Sequence, residues 1–206
     1  MSLTVSANSN TTTYEPVPQG THLAVCCMLV DLGDQFNQTY KKLQRKVLIG
    51  WEIPHETYDD NGTPKPKMVY NRYTASLNEG SALRRDLAAW RGRDFTPEEL
   101  NKFDLHNIVG KSCYVNIIHN ESNGRTYANI SSIVALPKGT KGAELAEPAL
   151  VFNLDNASEE DIDKLPEWIQ KVVRASATYI HRKESESQVV PETQFQELED
   201  DGDLPF

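Results

Sequence analysis

Tyr70 and Arg72 stand two residues apart in the run 68–77 (MVYNRYTASL), so an extended chain puts the ring and the guanidinium on one face. An aromatic face stacks on planar rings, and a guanidinium pairs with phosphate or carboxylate oxygens. The chemistry this offers is non-covalent. Thr74 joins that face, while Val69, Tyr73, Ala75 and Leu77 share the other. The same alternation sets Tyr114 and Asn116 against Cys113, Val115 and Ile117, and sets Tyr127, Asn129 and Ser131 against Ala128, Ile130 and Val134. Three successive strand-like runs therefore carry Tyr70, Arg72, Tyr114 and Tyr127 on their more polar face. Any one strand tyrosine is commonly half-buried with its hydroxyl at the surface. The shared face is what makes the set a candidate stacking platform.

The cations that could accompany such a platform lie nearby in sequence. Arg45, Lys46, Lys111 and Arg125 fall at or near strand ends, where they can track phosphates, although ordinary solvated charge accounts for them equally well. Lys41 and Lys42 belong to the connection after the first strand. Trp51 shares a side with Val47, Ile49 and Ile53, which favours the core, and it is carried as a further stacking candidate. Trp90 and Tyr73 read as core. The histidines at 22, 55, 106, 119 and 181 have unrelated spacings, and His119 reads as a strand-end residue meeting a backbone group. No P-loop, GxSxG elbow or HExxH is present. Asp59-Asp60 precedes Asn61-Gly62 and reads as a solvated turn. The expectation is a binding protein, not an enzyme, with no catalytic residues, metal or cofactor.

The elements that must position these side chains follow from periodicity. Residues 21–32 (THLAVCCMLVDL) form an apolar run typical of a mostly buried strand, and 33–45 are polar and read as a connection. A second strand spans 46–53 and is closed by Pro54; the third is 68–77, after a long hairpin-type loop containing Asn61-Gly62. Leu83, Leu87 and Trp90 then lie on one helical face, with Gly92 as the stop, and Thr96-Pro97-Glu98-Glu99 has the form of a capping box. Strands at 111–120 and 125–136 flank the turn Ser122-Asn123-Gly124. The order β-β-β-α-β-β is that of an OB-fold, a small five-stranded barrel. The expected architecture is mainly β: a flexible arm over 1–18, this domain over 19–140, a linker and C-terminal helices over 141–182, and a disordered acidic tail over 183–206. Ser158 caps the first of those helices and Pro166 starts the second.

Charge distribution decides more than its sum. The 206-residue chain has a net charge of −9, which taken alone argues against polyanions. Eight acidic residues and no basic one lie from Glu184 onward, leaving 22 acidic against 21 basic residues before it. Within 41–93 there are 11 Lys/Arg against 6 Asp/Glu. Backbone-tracking contacts with phosphates are electrostatically possible there. Cys26, Cys27 and Cys113 make an odd count without a CxxC, so neither a disulfide framework nor zinc is expected. No apolar run approaches the roughly 18 residues of a membrane span, and residues 1–13 lack a signal pattern. An intracellular, cytoplasmic protein is expected.

The final run Asp200-Asp201-Gly202-Asp203-Leu204-Pro205-Phe206 is too poor in apolar surface to fold alone, yet it suits capture by a partner. Phe206 can fill an apolar pocket while Asp200, Asp201 and Asp203 meet a basic rim, with Leu204 and Pro205 between. This run resembles the acidic tip of bacterial-type single-stranded-DNA-binding proteins, with Leu204 where that tip typically has Ile. The stretch from Tyr73 to Gly139 is similar to tailed-phage proteins of DNA replication or recombination. The residues carrying this similarity are Tyr73-Thr74, Ser76-Leu77, Leu83-Arg84, Asp86-Leu87, Trp90-Arg91-Gly92-Arg93, Phe95-Thr96, Gly110-Lys111, Thr126-Tyr127-Ala128-Asn129 and Leu136-Pro137-Lys138-Gly139. The resemblance implies a phage single-stranded-DNA-binding protein acting in the host cytoplasm, its tail recruiting replication or repair proteins. The other reading is an interaction adaptor for replication or recombination whose β-domain does not bind DNA.

Overall fold

β1 (Gly20–Asn37) organises the molecule because it is buried from both sides over Ala24–Val30. The computed structural model describes residues 15–188; the expectations for residues 1–14 and for the acidic end, Asp200 to Phe206 included, lie outside the described residues. β1 pairs antiparallel with β2 (Lys42–Asp60) along both its halves. Its first half also pairs antiparallel with β4 (Ser112–Ser122), and its second half pairs parallel with β6 (Leu150–Phe152). β3 (Thr63–Thr74) completes one side and β5 (Arg125–Val134) the other, giving the order β3-β2-β1-β4-β5. Among the described residues no ladder joins β3 to β5, so the six-stranded sheet is not closed into a hydrogen-bonded barrel.

Strand alternation sends β1 side chains into two separate cores. Ala24, Cys26 and Leu29 pack with Val47, Ile49, Trp51, Val69, Val115 and Ile133 on the inner face. Helix α1 (Ala82–Arg91) plugs this core with Leu83, Leu87 and Trp90, and it packs against both β3 and β5. Ser81 caps its start, and Gly92, at φ 68°, ends it in the left-handed region. The capping box at Thr96 opens α2 (Pro97–Asn101), as the sequence suggests. On the outer face Cys27, Met28, Val30, Leu32 and Leu48 pack beneath Phe152, Leu154, Ile162, Leu165, Ile169 and Val173. These last come from β6, α3 (Glu159–Asp163) and α4 (Glu167–Arg174) with their connections, and α5 (Ala177–Gln188) follows.

Several boundaries differ from those expected, each for a physical reason. β1 and β2 run through most of the polar stretch 33–45 and leave only 38–41 as a turn. Polar residues suffice there because this end of the hairpin lies beyond both cores. Gly33 (φ 71°) allows the bulge between Asp31 and Asp34, and a Cβ there would lie 2.7 Å from Ser176 Oγ. Pro54 does not end β2, since a register shift between Ile53 and Thr57 removes it from the ladder and pairing resumes to Asp60. Residues 15–18 are not a loose arm: Val17 is fully buried and its carbonyl lies 2.7 Å from His119 Nε2. Residues 183–188 belong to α5, where Lys183 pairs with Glu186 and Glu159. In β5 a bulge at Ser131 reverses the expected alternation, so that Ile133 enters the core and Val134 faces outward.

Candidate nucleic-acid interface

The outer face of β2 and β3 carries rings and cations together. Gly50 pairs with Tyr70, Leu48 with Arg72 and Lys46 with Thr74. Leu48 points into the outer core, which fixes Tyr70 and Arg72 on the side of the C-terminal helices. Both are exposed. Lys46 Nζ donates to Thr74 Oγ1 at 2.6 Å and Gln44 Oε1 at 3.0 Å. Its ammonium is held below the ordinary lysine value, first by desolvation and then by the charge of Arg72. Neither cation has a carboxylate partner among the described residues. This is local positive potential without a counter-ion. On the same strand face, four residues beyond Lys46, lies Lys42, whose Nζ sits 5.8 Å above the ring of Tyr40. Lys41 adjoins it at the turn, also exposed and in the left-handed region at φ 51°.

Trp168 of α4 meets this face directly. Its ring stacks on Tyr70 with centroids 4.9 Å apart and planes at 27°. Gly50, beside Tyr70, presents only backbone, because a Cβ there would lie 2.9 Å from Met28 Cβ. The sequence leaves Trp168 on the margin of an apolar helical stripe and gives no sign that α4 lies over β3. Tyr40 is hidden in the polar run 33–45; its spacing of four from Phe36 fits one face of a helix or of a strand, and neither signals the turn over 38–41 on which it stands. In the structure Phe36, Tyr40 and Leu43 are all exposed at the β1–β2 end.

The remaining candidates are placed elsewhere. Tyr114 is half-buried opposite Val134, and Tyr127 is exposed opposite Asn120. Six positions along β4 separate those two pairs, about 20 Å at roughly 3.3 Å per residue. Both rings do face outward, as alternation predicts. Within the ladder, however, β1 and β2 separate them from Tyr70, and a crossing segment overlies part of that face. That segment is pinned where Ala143 N–H donates to Ser112 Oγ at 2.9 Å and Ala146 N–H donates to Glu52 Oε1 at 2.7 Å. Lys111 and Arg125 are exposed at the two ends of the β4–β5 hairpin.

Two candidates are corrected. Trp51 is 0% exposed and packs against Trp90 at 5.6 Å between centroids, so its ring is core and cannot stack on a ligand. Arg45 is engaged by Asp31 and by Asp155 at 2.6 Å, with Asp34 at 3.7 Å. These carboxylates occupy its guanidinium, which ties β1 and β2 to the C-terminal helices. The cysteines are buried, and burial pushes the thiols of Cys26 and Cys27 up to about 12, which leaves them poor nucleophiles. Among the described residues no helix is long and apolar enough to cross a membrane. No protein-family model matches this chain, and a search of curated proteins gives no match.

Proposed function

We propose that the chain binds single-stranded DNA without sequence specificity, along the outer face of β2 and β3 from Tyr70 past Arg72 and Lys46 to Lys42 and Lys41. The observation that carries this reading is the pair Lys46–Arg72: adjacent cations, the first partly desolvated, beside an exposed ring and without a carboxylate among the described residues. A phosphate supplies the missing charge, and a base can stack on the ring surface that remains exposed. Eight residues of β2 separate Gly50 from Lys42, about 26 Å at roughly 3.3 Å per residue, enough for several nucleotides.

The strand order, the helix between β3 and β4 that packs on both sheet edges, and this face together favour an OB-like domain. In this reading the protein is not an enzyme. It protects exposed single strands during phage DNA replication or recombination, and the acidic run ending in Leu204-Pro205-Phe206 recruits partner proteins. The test is fluorescence anisotropy of a labelled oligo-dT titrated with the full chain at low salt. Saturable binding, weakened by Arg72→Ala, is expected. Absence of binding sinks the proposal; binding that ignores Arg72→Ala and Tyr70→Ala moves the site elsewhere and favours the adaptor role for this face.

A further inference from the structure

We infer that Trp168 contacts the bound strand itself, so that the C-terminal helical module builds one side of the single-strand site. This rests on the reading above and adds to it a residue outside the sheet.

The three tryptophans divide sharply. Trp51 and Trp90 are 0% and 7% exposed, whereas Trp168 retains 39% exposure and its partner Tyr70 55%, although the two rings stack. Attachment of α4 is carried by Ile169 and Val173, both fully buried against the outer face of β1. The helix therefore has anchors other than the ring of Trp168. Trp168 adds a second ring to Tyr70, whose same-face neighbour along β3 is Arg72, and such a surface accepts a base at little ordering cost. The adjacent acid, Glu167, is turned to Lys171 at 2.7 Å. The partner this chemistry selects has planar rings and regularly spaced anions, which is a single-stranded nucleic acid.

All three tryptophans emit, but Trp51 and Trp90 are buried away from any bound base, so contact quenching on binding reports on Trp168. The experiment titrates oligo-dT into the full-length protein and follows tryptophan emission together with the anisotropy of a labelled strand. Expected results are quenching that tracks binding, loss of that quenching in Trp168→Phe with most of the affinity retained, and an affinity about five- to a hundredfold weaker in Trp168→Ala. Thermal melting of each variant accompanies the titrations. Binding by wild type without quenching, or undiminished affinity in Trp168→Ala, overturns the inference and leaves the β2–β3 site standing. Weaker binding by Trp168→Ala with a lowered melting temperature, and no quenching in wild type, assigns the ring a structural role and equally overturns it. If wild type fails to bind the strand at all, the underlying reading falls instead.

Discussion

Arg72 and Trp51 show how residue type alone divides into two fates once burial is known. Arg72 sits on an exposed face with Lys46 for a neighbour, so Arg72→Ala is expected to weaken binding to single strands of different base composition by the same factor while leaving the urea midpoint unchanged. Trp51, enclosed beside Trp90, acts on stability. Trp51→Ala is expected to cost about 3–5 kcal/mol in urea unfolding, and a loss under 1 kcal/mol would show that the inner core is not assembled around that ring. Glu52 gives a pH-dependent case. Burial raises its carboxyl above the ordinary glutamate value, with the Ala146 N–H opposing the shift. A folded-state pKa above the unfolded one means that the contribution is present at low pH and is lost as pH rises through the folded value. Glu52→Gln keeps an acceptor for Ala146 and removes the buried charge. It should therefore be more stable than wild type at neutral pH, with the difference vanishing in acid; equal stability at both pH values contradicts this.

At the scale of elements, much was legible because local chemistry and tertiary packing agree. The Leu83–Leu87–Trp90 face, the capping box at Thr96, the cap at Ser158, and the Asn61-Gly62 and Asn123-Gly124 turns all stand where the sequence put them. What alternation could not show is the second core. β1 alternates between two apolar environments, so its run of apolar residues identifies a buried strand but not what covers it. The cover comes from more than a hundred residues downstream, and with it comes Trp168 over Tyr70. The bulge at Ser131 was equally invisible: one unpaired residue exchanges Ile133 and Val134 between faces. Gly33 marks the junction of strand and cover. Its positive φ and the proximity of Ser176 and Leu154 predict that Gly33→Ala loses at least about 1 kcal/mol in chemical denaturation, through backbone strain and collision together. An unchanged midpoint contradicts this account of the β1 bend.

For the whole molecule, charge is partitioned between a cationic track and an acidic end. Six acidic residues and no basic one lie beyond Gln188, so the chain to that point carries 24 acidic against 21 basic residues. Ending the protein at Gln188 is expected to tighten oligo-dT binding at low salt, with the advantage fading as salt screens it. Equal affinity for both forms at low salt contradicts long-range competition by the acidic end. The central claim, that Lys46 and Arg72 meet phosphates on the β2–β3 face, is tested most directly by the salt dependence of oligo-dT binding in wild type and Lys46→Ala/Arg72→Ala. Loss of two phosphate contacts should flatten the slope of log K against log salt by about 1.4, at roughly 0.7 per contact for a single strand. An unchanged slope in the double variant, or no binding by wild type at low salt, contradicts it.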